Sequence, residues 1–333
     1  RSRGLGDVYK RQGVMGAGIA AAGFSAVNWM TMSKIAASWV ISPVLGGVIA
    51  ALFLWLIKSR IIYQPDKIAA ARRWVPILIA IMSGAFASYL ALKGIKKIIK
   101  IDIQTAIIIG FLIGVATWAI TKPIIAKQSV GMENRNKSLK QLFNIPLIVS
   151  AALLSFAHGA NDVANAVGPL AAIVQASSSG EYITAISIPL WVMVIGAAGI
   201  SFGLFLFGPK LVRVVGSQIT KLNQMRAYCV ALSAAITVIV ASWLGLPVSS
   251  THIAVGSVFG VGFFREWDSA RRMKLAKLSS DKNQLVVAKE ERARRKLVRR
   301  SHFMSIIAAW IITVPSAAVI SGVIYSVILF SAG

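Results

Sequence analysis

Apolar residues run through this chain in blocks separated by short polar segments, and several blocks have the length of a bilayer crossing. Ile35 to Ile57, Trp74 to Leu92, Thr105 to Ile125, Ile183 to Phe207, Tyr228 to Leu246 and Phe303 to Phe330 are each long enough to qualify. A helix needs roughly 20 apolar residues to cross about 30 Å of hydrocarbon. The pattern predicts nine hydrophobic elements, at 13–27, 34–57, 74–92, 104–125, 145–176, 183–207, 228–246, 247–264 and 303–330. The first and eighth are short for full crossings, and the fifth is long and interrupted by polar residues. The expected fold is an all-α membrane protein, a polytopic helical bundle. Backbone polar groups in hydrocarbon must be satisfied within the segment, which helices achieve.

Composition agrees. Of 333 residues, 56% are hydrophobic and 14% charged, with a mean hydropathy of +0.72, against about 25% charged residues in a soluble domain. The formal net charge of +25 raises nucleic acid as a partner, but its distribution argues for membrane orientation. Lys58, Arg60, Lys67, Arg72 and Arg73 fill segment 58–73, and Lys127, Arg135, Lys137 and Lys140 fill 126–144. Lys210, Arg213, Lys221 and Arg226 fill 208–227. Segment 265–302 holds thirteen Lys and Arg against five acids, whereas SSSGEY at 177–182 has no basic residue. If each element crosses once, the four basic segments share one side, the cytoplasmic side by the positive-inside rule. Lys93, Lys96, Lys97 and Lys100 fall on the other side, against the rule. The partners expected are membrane lipid and a small-molecule cargo rather than nucleic acid. The one cysteine, Cys229, permits no intramolecular disulfide and reads as a packing residue.

The first twelve residues, RSRGLGDVYKRQ, are polar and do not have the order of a secretory signal. They resemble translated adaptor sequence, and a missing native N-terminus is the expectation. The remaining organisation expected is 13–125 as the remainder of a first repeat, 126–144 as a cytoplasmic linker, 145–264 as the core of a second repeat, 265–302 as a basic cytoplasmic loop with amphipathic character, and 303–333 as a last transmembrane helix. The repeat is visible in the residues. Gly13-Val-Met-Gly16-Ala-Gly18 matches Ser257-Val-Phe-Gly260-Val-Gly262. Each is followed by a span with a similar opening, Ile35-Ala-Ala-Ser-Trp39 to Pro43 and Ile307-Ala-Ala-Trp310 to Pro315. The alternation of loops makes these copies run in opposite directions, an inverted repeat of the kind secondary transporters use.

Two stretches carry the candidate chemistry. Of the eleven Asp and Glu residues, Asp162 alone lies inside an apolar element. A carboxylate at the centre of a membrane helix costs about 2.5–3.5 kcal/mol on insertion scales, so such residues line pathways or pair with cations. The stretch reads His158-Gly159-Ala160-Asn161-Asp162-Val163-Ala164-Asn165. Asn161 and Asn165 share a helix face, and His158 and Asp162 are likewise four apart. Hard oxygen ligands suit Na⁺ or a proton. The alternative is a carboxylate neutralised by His158 or protonated. The second stretch is Pro247-Val248-Ser249-Ser250-Thr251-His252. Pro and the hydroxyls predict a broken helix whose second half starts near Ser249 to Thr251. A helix start with spare N–H groups and three hydroxyls suits a tetrahedral oxyanion. The alternative is a capped turn outside the membrane.

GANDVAN at 159–165 resembles the signature of the inorganic phosphate transporter (PiT) family, and PVSSTH at 247–252 is similar to its second motif. SWVISP at 38–43 resembles the span that follows that motif in the first repeat. The likeness covers nearly all of 13–333. It implies a multi-pass plasma membrane protein with two inverted repeats and broken helices, which symports phosphate with Na⁺ or H⁺ and uses no cofactor. It further implies that Asn161, Asp162 and Asn165, with Ser249, Ser250 and Thr251, contact phosphate and the ion. Asp162 would be the Na⁺ ligand if coupling is to sodium, and His158 and His252 are carried over less securely. His252 could instead hydrogen-bond a neighbouring carbonyl. The family's first copies of the two motifs are absent, so the chain as given is expected not to transport. Sulfate is the alternative cargo within this class, and a homo-oligomer is compatible with it. An intramembrane enzyme built on His158 and Asp162 lacks a third ligand, and a structural membrane protein is the remaining alternative.

Overall fold

A computed structural model of the chain describes residues 6–93, 102–179, 188–214, 222–244, 248–278 and 300–332. Ten α-helices carry these residues: α1 (Gly6–Ala22), α2 (Trp29–Ile57), α3 (Lys67–Lys93), α4 (Ile103–Gln128), α5 (Asn136–Leu142), α6 (Asn144–Ser179), α7 (Leu190–Val214), α8 (Gln224–Trp243), α9 (Ser250–Leu278) and α10 (Arg300–Ala332). No strand occurs among the described residues. Six helices are long and apolar enough to cross a membrane, or seven if α5 and the first part of α6, bent by 43°, form one span. The all-α polytopic architecture is therefore present.

Local chemistry fixes several boundaries. Asn28 caps α2, its Oδ1 accepting from the Thr31 N–H at 3.0 Å. Asp102 caps α4 by accepting from the N–H groups of Gln104 and Thr105. Such caps satisfy donors that a helix start leaves free. Gly23, at φ 74°, ends α1 in the left-handed conformation that costs glycine least.

Other boundaries differ from the hydrophobic pattern. The leader set aside at 1–12 is helical from Gly6. Helix α3 starts at Lys67 and not at 74, because Asp66 caps it by accepting from the Ala69 N–H at 3.0 Å. The linker expected at 126–144 contains α5, whose Leu139 and Leu142 are buried. The loop expected at 265–302 is helical to Leu278, since Arg, Lys, Leu and Ala are good helix formers whatever their polarity. The last helix already includes Arg300, ahead of 303. Residues 279–299 and Lys96, Lys97 and Lys100 lie outside the described residues, as do Gly180, Glu181 and Tyr182 of SSSGEY.

Packing is governed by small residues. Helix α2 lies along α9, α1 along α10, and α3 along α4. Where α2 crosses α9, a Cβ on Gly260 would fall onto the carbonyl of Gly47, and one on Gly256 onto that of Pro43. Where α1 crosses α10, a Cβ on Gly16 would fall onto the carbonyl of Ala318, and Ser321 Oγ donates to the Gly13 carbonyl at 2.6 Å. Membrane helices associate through such close backbone approach because lipid supplies no hydrophobic drive between them. The matched segments thus exchange partners: each glycine-rich copy packs on the Pro-containing span that follows the other copy.

The largest buried cluster joins one end of α2, α3, α8 and α9 with α5, and includes Leu54, Ile61, Leu78, Phe143, Tyr228 and Phe259. Tyr228 donates to the Leu78 carbonyl at 2.9 Å. Basic segments 58–73 and 126–144 meet near this end. Asn134 Nδ2 donates to the Pro65 carbonyl at 2.7 Å and its Oδ1 accepts from the Lys67 N–H at 2.9 Å. Arg72 Nε donates to Ser129 Oγ at 2.6 Å. By contrast α4, α7 and α10 carry large exposed side chains such as Phe111, Phe205 and Phe330, the surface a bilayer would cover.

The Gly47–Gly260 crossing generates a stability prediction. Gly260→Leu should lower the stability of the detergent-solubilised protein by about 1–3 kcal/mol, the usual cost of overpacking, read as a fall in thermal unfolding temperature. Gly18→Leu, where a Cβ would meet nothing within 4 Å, should leave that temperature unchanged.

Candidate functional site

Helix α6 carries the polar stretch without interruption. His158, Asn161, Asp162 and Asn165 all lie within Asn144–Ser179. The polar residues that interrupted the apolar pattern therefore do not break the helix. The small residues around them leave room for a neighbour, and α8 and α9 pack alongside. The side chains of Asn161 and Asn165 lie outside the described residues. Asp162 is 13% exposed and His158 36%.

The second stretch is a helix start. Helix α9 begins at Ser250, and Ser249 caps it: the Ile253 N–H donates to the Ser249 carbonyl at 3.1 Å, and the His252 N–H to Ser249 Oγ at 3.4 Å. Helix α8 ends at Trp243, and Gly245, Leu246 and Pro247 ahead of Ser250 lie outside the described residues. Ser249, Ser250 and His252 are buried, at 2%, 0% and 5% exposure, and Thr251 is half-buried. A buried helix start concentrates N–H groups and partial positive charge in a medium of low dielectric.

The fold joins the two stretches. Ser250 Oγ donates to Asp162 Oδ1 at 3.0 Å across 88 residues of chain. The other carboxylate oxygen, Oδ2, stands 2.9 Å from His158 Nε2 one turn earlier on α6. Both oxygens of the lone intramembrane carboxylate are thus engaged, one by a hydroxyl and one by an imidazole. A tight apolar floor lies close by, formed by Ala157 of α6, Ala234, Val238 and Ala241 of α8, and Val248 and Ile253 of the α9 start.

The arrangement can do two things. A carboxylate flanked by a hydroxyl offers hard oxygen ligands to a small cation. The α9 start offers N–H and O–H donors to an anion. No group of three or more His, Cys, Asp or Glu that could hold a metal ion occurs among the described residues. The sequence joins the carboxylate and the hydroxyls only through the family resemblance, and it predicts the helix start near Ser249; the direct hydrogen bond from Ser250 to Asp162 is what the structure adds.

Comparison with known proteins bears on the family and the fold. Residues 12–321 match the model of the phosphate transporter family. A protein of Helicobacter pylori strain J99 that carries the name phosphate permease is 44% identical, the match covering 94% of this chain and 68% of the relative. One of the same name from Pyrococcus furiosus is 31% identical over 96% of this chain and 70% of its own length. A solved structure titled the sodium-dependent phosphate transporter matches with a TM-score of 0.77 and 31% identity, covering 96% of this chain and 72% of that one. With lone carboxylate, hydroxyl-rich helix start and all-helical membrane fold in place, the chain belongs to the phosphate transporter family.

Proposed function

We propose that the Asp162–Ser250 site binds inorganic phosphate together with a coupling cation, and that a protein holding both copies of the two motifs moves the pair across the plasma membrane by alternating access. The observation that carries this reading is the contact of a nearly buried intramembrane carboxylate with the opened start of another helix. A cation offsets the charge of Asp162, which otherwise repels phosphate. The α9 start then supplies donors to the phosphate oxygens. Anion and cation each lower the cost of the other, so binding of one favours the other, the reciprocity that symport requires.

Sodium is the favoured coupling ion. The hard oxygens of Asp162 and Ser250 suit it, and the solved relative is titled as sodium-dependent. A second reading, proton coupling, draws on the His158–Asp162 pair, where Nε2 and Oδ2 at 2.9 Å form a place for a proton to be held. Asn161, Asn165 and Thr251 complete the proposed set of ion and phosphate contacts, with His252 in a supporting place. The crossed packing of α1 on α10 and α9 on α2 supports an inverted repeat, and the meeting of basic segments 58–73 and 126–144 near one end supports a cytoplasmic face there. Rocking of one repeat against the other would expose the site to each side in turn.

Binding of radiolabelled phosphate to the purified chain in lipid nanodiscs tests this. Saturable binding is expected, stronger in sodium chloride than in choline chloride at one pH. Asp162→Asn should weaken it by at least about tenfold, the scale of losing a charge-assisted contact. Ser250→Ala should weaken it about fivefold, one hydrogen bond. Binding that Asp162→Asn leaves intact would remove the assignment. In the same assay unlabelled phosphate should displace the label and equimolar sulfate should not; equal displacement by sulfate would make the site a general oxyanion site. Dependence on pH with no dependence on sodium would establish the proton reading.

A further inference from the structure

Helix α9 has a second anchored end. Asp268 lies eighteen residues beyond Ser250, about 27 Å along the helix at 1.5 Å per residue, and is gripped from the end of α2. Lys58 Nζ stands 2.6 Å from Asp268 Oδ2, the two side chains being only 16% and 13% exposed. Tyr63 Oη donates to the same oxygen at 2.6 Å. Residues five apart on an α-helix point about 140° away from each other. Lys58 and Tyr63 nevertheless converge, because residues 58–62 form a π-helical turn in which the Tyr63 N–H donates to the Lys58 carbonyl at 2.9 Å. Such turns inside membrane and soluble helices frequently mark functional positions.

Other cations stand near the grip: Arg226 of α8 and Arg265 of α9 lie close enough to Lys58 to act on it electrostatically. The Arg272 guanidinium covers the Tyr63 ring, 3.4 Å from its centre. Burial acts to raise the pKa of Asp268, and the hydrogen bonds from Lys58 and Tyr63 outweigh it, holding the carboxyl below its ordinary value. Asp268 is thus approached by the cations of Lys58 and Arg272. Between this end and Ser250, α2 and α9 touch closely at Gly46, Gly47, Gly256 and Gly260.

We propose that Lys58, Tyr63 and Asp268 form a latch that holds the far end of α9 on α2, and that its opening lets α9 move so that Ser250 leaves Asp162 during transport. The second half of this inference rests on the reading of Asp162 and Ser250 as the transport site. The residues are positioning residues: they lie about 27 Å from Ser250 along α9 and act on the site through that helix. A bistable contact at one end of a rigid helix is a physical means by which a distant site is switched.

The protein carries its own reporter. Cys229, the sole cysteine, is fully buried in the same cluster as Ile57, Ile61 and Phe259, at the latch end of α2 and α9. Its rate of maleimide labelling in nanodiscs measures opening there. Tyr63→Phe, which removes one hydrogen bond, should raise the rate about fivefold. The double variant Lys58→Met with Asp268→Met removes both partners of the ion pair and should also label faster than wild type. Saturating phosphate in sodium should change the wild-type rate, and both variants should reduce that change. Wild-type rates in both variants would overturn the latch. Faster labelling with an undiminished phosphate response would overturn the coupling to Ser250. If wild type binds no phosphate, the transport reading and its coupling both fall, while the labelling rates without phosphate still decide whether the latch exists.

Discussion

A carboxylate cannot sit in hydrocarbon without partners, and that constraint organises this protein. Asp162 costs too much to bury alone, so the chain brings a hydroxyl and an imidazole to its two oxygens. Supplying that hydroxyl requires a helix to begin inside the apolar region, which is tolerated only where protein encloses the break. Enclosure in turn requires α6, α8 and α9 to pack tightly, which the alanines and valines of the floor allow. The polar site and the small-residue packing are two sides of one requirement.

Hydropathy revealed the fold class because membrane spans obey a length rule that few other segments meet. All nine hydrophobic elements correspond to helices. What hydropathy could not show was where helices stop, since Lys and Arg end an apolar run without ending a helix. The stretch from Arg265 to Leu278 illustrates this: charged and read as loop, it continues α9, with Arg271 over Trp267 and Arg272 over Tyr63 giving its cations apolar company. Helix α5 was missed for the opposite reason. It is seven residues long, and only Leu139 and Leu142 mark its buried side.

The site was half legible. A lone acid in an apolar block is conspicuous in one dimension, and so are three hydroxyls after a proline. Their pairing across 88 residues leaves no periodic trace. Lys58, Tyr63 and Asp268 were less visible still. Lys58 and Asp268 were counted only as loop charges, because an ion pair spanning 210 positions looks in the sequence like two unrelated surface residues. Burial distinguishes them, and burial is a property of the fold.

The glycine crossings set the kind of motion this bundle permits. Where Gly47 meets Gly260, and where Gly16 meets Ala318, backbone touches backbone with no side chain between. Two rods in such contact scissor easily about the touching point, since no interlocked knob has to be lifted from its hole. Pulling them apart is another matter, because it opens a crevice along peptide groups that lipid tails fill poorly. Each pair therefore behaves as a pivot with one soft angular coordinate and one stiff radial one.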